Sequence, residues 1–239
     1  MNANRWIRAL RSLPALAALY LPTLAAQQTP RIDEAALIHR IDAANHSRYE
    51  HVLSFTDVEH YAVFRGDDQK PAAEMTVKMT YRKGVGKNYE ILSRSGSGLI
   101  QKFGLEPLLA NEKQINDPAV VKNSWFSSAN YQMHLKPGAT LEINGRTCVA
   151  LAIEPRRKAP NMIDGTLWVD PRDGTIAQVE GVGTKSPSPL AGAAHMTRQY
   201  SNIQGFSMAL HARAESHNAL IGKTAVTVDY TNYSLQSVR

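Results

Sequence analysis

Apolar and polar positions alternate most regularly between Ala73 and Arg82, where Met75, Val77, Met79 and Tyr81 interleave with Glu74, Thr76, Lys78, Thr80 and Arg82. Successive side chains of a strand point to opposite faces. The run therefore predicts a β-strand with one dry and one wet face, as in an antiparallel sheet covered on one side. A second region of strand character extends from Glu142 to Gly183. Its short runs rich in Val, Ile, Thr and Trp are punctuated by Asn144-Gly145 and by Asp170-Pro171-Arg172-Asp173-Gly174. Those residues suit tight turns, so consecutive antiparallel strands follow, most clearly in the hairpin that carries Trp168.

Further strands are predicted on both sides. Tyr49 to Arg65 reads as a long strand with Tyr49, His51, Leu53 and Phe55 on one face, and Asn88 to Ser95 places Tyr89 and Ile91 beside the methionines. Tyr131 to Leu135, Thr140 to Ile143, Arg146 to Glu154, His195 to Asn202, Phe206 to His217 and Lys223 to Leu235 follow, with Lys185 to Gly192 as a loop. Helical periodicity occurs twice. From Pro30 to His46, Ile32, Ala35, Ile38 and Ile41 share a face, and Asp33 and Glu34 suit the positive end of a helix dipole. Between Gly96 and Asn130 an apolar insert carries Leu99, Ile100 and Phe103 on one face, then Leu105, Leu108 and Leu109 around Pro107. Asp117-Pro118 predicts the start of another helix through Val121, Trp125 and Phe126. The order implies an α+β fold with a strongly curved antiparallel sheet or partial barrel of about ten strands, whose apolar face the N-terminal helix and helical insert can cover.

Composition and the chain ends narrow the class. Arg5, Arg8 and Arg11 precede an apolar run from Leu13 to Leu24 that contains Pro14 and Pro22, and Ala25-Ala26 follows. The run is short and Pro-interrupted against a membrane span of roughly 20 residues, so residues 1–26 read as a secretory signal peptide and 27–239 as a single domain of the periplasm. The net charge of +6 includes the three arginines of that segment; without them 24 basic residues face 21 acidic ones. Such a small excess does not argue for nucleic acid, while leaving room for transient contact with an anionic membrane. The lone Cys148 lies in an alternating strand and reads as a small buried hydrophobe.

The chemistry motifs mostly exclude. Gly222-Lys223-Thr224 lacks the glycine a phosphate loop needs at the position of His217, and no Gly-x-Ser-x-Gly elbow occurs. The histidines lack the spacing of a helical zinc site. His211, Arg213, Glu215 and His217 would share a strand face, but the two histidines stand about 20 Å apart at strand rise, with an arginine between them. The expectation is a non-enzymatic monomer with no cofactor, no metal and no catalytic residue.

The residues from Gly145 to Pro155, then Gly165-Thr166-Leu167-Trp168-Val169-Asp170 and Thr175 to Gly181, together with Arg198-Gln199-Tyr200 and Gly205-Phe206, resemble the LolA-like superfamily. That superfamily includes periplasmic outer-membrane lipoprotein-sorting proteins and RseB-like sensor domains. The aromatic-and-arginine strand motif of the true carriers is absent between Met79 and Glu90. The resemblance implies an unclosed (half) β-barrel with helices over its concave face, whose apolar concavity accepts the acyl chain of a lipid or lipoprotein beneath that helical lid. Combined with the one-sided strands, it gives a candidate cavity and lid of Leu53, Phe55, Met75, Val77, Met79, Tyr81, Ile91, Leu99, Phe103, Leu108, Leu109, Trp125 and Phe126. Two alternatives stay open: a concavity that holds ligand, or one filled by its own side chains in a module that docks an envelope protein partner.

Overall fold

The computed structural model describes residues 32–159, 161–185, 194–218 and 222–238. The signal-peptide reading at 1–26 and nearly all of the 185–192 loop lie outside the described residues. Helix α1 (Glu34–His51) begins at Asp33, whose side chain accepts a hydrogen bond from the Ala36 amide and so satisfies one of the helix's free donors. It continues past His46, so Tyr49 and His51 are helical. The sequence offers no stop there; the chain passes at Val52 directly from helix into strand. Strands β1 (Val52–Arg65), β2 (Ala73–Arg82) and β3 (Gly86–Gly96) form a meander.

The insert follows. It consists of a short α2 (Gly98–Ile100) capped by Ser97, a π-helical stretch Gln101–Leu105, and α3 (Glu106–Ile115), which accepts Pro107 in its first turn, where a missing amide costs nothing. Asp117-Pro118 starts no full helix. The Asp117 side chain caps the Ala119 amide, and only a 3-10 segment, Val121–Ser124, forms before Trp125 turns extended. The remaining strands are β4 (Tyr131–Ile143), β5 (Arg146–Pro155), β6 (Ile163–Val169), β7 (Ile176–Gly183), β8 (His195–Ile203), β9 (Phe206–Asn218) and β10 (Gly222–Ser237).

All ten strands join one antiparallel sheet in the order β3-β2-β1-β10-β9-β8-β7-β6-β5-β4. The register along β1 and β10 stitches the two ends of the domain together, pairing Phe55 with Leu235 and Val63 with Val226. The edges are β3 and β4, so the barrel is unclosed. Register shifts in β1/β10, β2/β3, β4/β5, β6/β7 and β8/β9 supply the local bends that curl a sheet. Predicted as two strands around Pro137-Gly138, β4 is one strand with its irregularity there.

Two helical pieces cover two separate parts of the concave face. Leu37 and Ile41 of α1 pack on Tyr131, Met133, Leu151, Ile153, Leu167 and Val169 of β4–β6. Leu105 and Leu109 of the insert pack on Tyr61, Val63, Met75 and Val77 of β1 and β2. The turn from Asp170 to Thr175 anchors α1. Asp170 is buried and accepts from the Arg172 amide and guanidinium, and Gly174 lies so near the Arg40 carbonyl that a Cβ there would stand 2.4 Å from its carbon. Only glycine fits at that φ of +74° and that separation. Trp168 lies on the other side of the sheet beside Ile143, the buried Cys148 and Ala177, and donates to Glu180. No described helix is long and apolar enough to cross a membrane.

Candidate functional site

Between the two covered areas, over the middle strands β8, β9 and β10, a cleft opens between the sheet and the insert. Its first lobe, about 240 Å³, is walled on the sheet side by Met196 of β8, Ala212 and Ala214 of β9, and Val226 and Val228 of β10. On the other side stand Leu108 and Ile115 of α3 and Phe126. The space has a simple origin. Two inward alanines on β9 face two valines on β10, whereas β2, beyond β1 in the same sheet, presents two methionines and a valine. A second lobe, about 190 Å³, lies towards α1 and is bordered by Arg48, Phe55, Asp57, Trp125, Phe126 and Tyr233. Glu112, Ile115, Phe126, Arg198, Tyr200 and Tyr230 line both lobes, which are therefore neighbours in one cleft.

A charged cluster stands at that junction. Glu112 of α3 accepts from Lys87 of β3 at 3.3 Å and from Arg198 of β8 at 3.4 Å, tying the insert to strands on both sides of the cleft. Burial opposes the Glu112 charge, but Lys87 and Arg198 together outweigh it and hold the carboxyl below its usual range. Lys87 is likewise raised, since Glu112 and Glu59 outweigh its burial. Asp57 and Glu59 also point inward from β1, each almost wholly buried. Burial, then the neighbouring Glu59 charge, pushes Asp57 up to about 7. Burial also raises Glu59, which accepts from the Tyr61 hydroxyl. One oxygen on each of the two carboxyls, Asp57 Oδ1 and Glu59 Oε1, has no hydrogen-bond partner.

The candidate residues read from the sequence distribute unevenly over this geometry. Met75, Val77 and Met79 are fully buried, the first two beneath Leu105 and Leu109, the third beside Phe55 and Met208. Tyr81 is half-buried with its ring 5.0 Å from that of Phe55. Leu108, Trp125 and Phe126 border the cleft. Leu53 is 43% exposed beside the β1 irregularity at Val52/Ser54, and Ile91 is partly exposed near the free edge. Leu99 and Phe103 point to solvent at 71% and 69% exposure. The structure thus brings Phe55, Leu108, Trp125 and Phe126 to the cleft and seals Met75, Val77, Met79 and Leu109 in the core.

Sequence reading missed the sheet wall and the charges. Ala212 and Ala214 alternate with Arg213 and Glu215, a period-2 signal whose inward members are too small to stand out. Asp57, Glu59 and Lys87 occupy inward positions of strands, where polar residues are expected to face water. His211, Arg213 and Glu215 do lie on the outer face, with His211 paired to Asp229 at 2.7 Å. Among the described residues, no group of three or more His, Cys, Asp or Glu is placed to hold a metal ion.

No protein-family model and no curated protein matches the sequence. Among solved structures, the chain is similar to a LolA superfamily protein from Nitrosomonas europaea, with 11% identity, coverage of 87% of this chain and 96% of that one, and a TM-score of 0.43. It is also similar to a domain described as an outer membrane lipoprotein-sorting protein from Vibrio parahaemolyticus, with 12% identity, 83% and 92% coverage and a TM-score of 0.44. A third likeness is to the complex of MucA and MucB from Pseudomonas aeruginosa, at 12% identity, 85% and 99% coverage and a TM-score of 0.25. Likenesses this loose carry nothing about ligand or partner to this chain.

Proposed function

We propose that this chain is a non-enzymatic binding protein of the bacterial periplasm that holds the acyl chain of a lipid or lipoprotein in the cleft between β8–β10 and α3. The observation that supports this reading is the first lobe: an unfilled space walled largely by apolar side chains, Met196, Ala212, Ala214, Val226, Leu108 and Phe126. Together the lobes reach the lower part of the range of roughly 300–1,000 Å³ in which ligand pockets fall. Each methylene moved there from water gains about 0.8 kcal/mol, so ten of them supply roughly 8 kcal/mol before ordering costs. Glu112 would act as the tie that α3 releases for loading, with transient contact at a membrane surface as the source of cargo. Native mass spectrometry of the chain purified without detergent tests the reading. The expected result is a 1:1 adduct of one acyl-bearing molecule. A ligand-free mass that takes up no added palmitate would refute it.

A second reading has its own support: Leu99 and Phe103 are large apolar side chains left exposed side by side on the insert, as expected of a surface that docks an envelope protein. Replacing both with Ser would then abolish capture of one stable partner while leaving acyl binding intact. Loss of acyl binding instead would assign them to the lid.

A further inference from the structure

We infer that the ligand is a single-chain amphiphile with an anionic head group, held head-first by Arg48 in the second lobe with its chain running past Phe126 into the first. The inference rests on the acyl-binding reading above and adds the chemistry of the head. Arg48 projects from the last turn of α1 to the border of the second lobe, with its guanidinium carbon 5.9 Å from the centre of the Phe55 ring. Its Nε is shut off from solvent and has no hydrogen-bond partner. No carboxylate of the described residues forms an ion pair with it, whereas Lys87 and Arg198, which line the same lobe, share Glu112.

Burial lowers the proton affinity of Arg48, and the nearest groups that bear on it, the hydroxyls of Tyr81, Tyr200 and Tyr233, are neutral phenols that bring no counter-charge. A guanidinium keeps its charge in proteins, and the negative end of α1 supplies only about half a unit of compensation. A half-buried cation with no counter-charge and an unpartnered Nε gains from an anion that completes it, and the planar fork matches a carboxylate or phosphate with two parallel bonds. Of the two acids that border the lobe, Glu112 is neutralised by Lys87 and Arg198, and Asp57 is drawn towards its neutral form by burial and so opposes an incoming anion less than an ordinary aspartate would.

Isothermal titration of the ligand-free full-length domain with palmitate, hexadecyl phosphate, hexadecanol and acetate tests this. Wild type should bind palmitate or hexadecyl phosphate roughly 10-fold or more tighter than hexadecanol, and the preferred one of the two identifies the head. Arg48→Gln should remove that preference and leave hexadecanol binding within about 2-fold. Arg48→Met, which deletes an uncompensated charge, should raise the melting temperature of the ligand-free protein. Equal affinity of wild type for palmitate and hexadecanol would overturn the head-group inference and leave acyl binding standing, as would an equal loss for both ligands in Arg48→Gln. Acetate binding as tightly as palmitate would also overturn it, by showing an anion site without a chain. If none of the long-chain ligands binds, the acyl-binding reading itself falls.

Discussion

Strands β1–β3 and strands β8–β10 belong to one sheet and face the same insert helix, yet one group is closed by its own side chains and the other is left open. On β2 the inward positions carry Met75, Val77 and Met79, which are fully buried and meet Leu105, Leu109, Phe55 and Met208 without a gap. On β9 the inward positions opposite Val226 and Val228 carry Ala214 and Ala212, and the cleft begins there. Backbone architecture is shared; side-chain volume decides. Interiors are close-packed, so a sheet that presents alanines on one strand and methionines on another either draws the helix closer at the alanines or leaves room for something else. Here the helix cannot approach, because Leu105 and Leu109 already rest on Met75 and Val77 and Glu112 is held between Lys87 and Arg198.

Four substitutions break or sharpen that contrast, in descending order of their effect on stability. Met79→Ala removes a fully buried side chain from the closed half and should cost about 2–5 kcal/mol in urea unfolding, with acyl binding unchanged. A cost below about 1 kcal/mol together with lost binding would move the ligand to β1–β3.

Asp57→Asn tests the charges at the junction. Because folding raises the Asp57 carboxyl from near 3.8 to about 7, the folded state holds a proton that the unfolded state releases. Stability from this group is complete below pH 3.8 and is lost as pH rises through 7, by an amount on the order of a few kcal/mol. Urea midpoints measured between pH 5 and pH 8 should therefore fall in wild type and flatten in the variant.

Glu112→Gln leaves Lys87 and Arg198 without their shared carboxylate and should cost about 1–3 kcal/mol. Hydrogen exchange should locate that loss in α3, with amides 106–115 exchanging faster and the β4–β7 core unaffected. Ala214→Phe should change stability least, by under about 1 kcal/mol, because its ring enters existing space. It should nevertheless weaken acyl binding about 10-fold or more, since each displaced methylene forfeits burial.

The fold was legible where turn chemistry and alternation are strong. Asn144-Gly145 adopts the left-handed conformations its residue types favour, with φ of +50° and +71°, and the Met75 to Tyr81 run faces inward as its period requires. The number of strands and the covering insert follow from the same signals, whereas the unclosed sheet was expected from the family resemblance. The end of α1 was hidden because Arg48 to His51 carries no helix-breaking residue before β1. The short path through Val121 to Phe126 was hidden because an Asp-Pro cap also fits a single turn. The site was legible only in part. Alternation tells which side chains face inward, but whether they fill the space depends on what packs above them, and that depends on the whole fold. Phe55, Leu108, Trp125 and Phe126 could be found from hydrophobicity, whereas Ala212, Ala214, Arg48 and Asp57 carry no such mark.

The measurement that addresses the contrast most directly is a crystal structure of the chain with palmitate brominated at its terminal carbon, using the anomalous signal of bromine to place the end of the chain. The account predicts one bromine peak among Met196, Ala214 and Val226, with the carboxylate end towards Arg48. A peak beneath Met75 and Met79, or no ordered bromine in a crystal grown with saturating ligand, would contradict it.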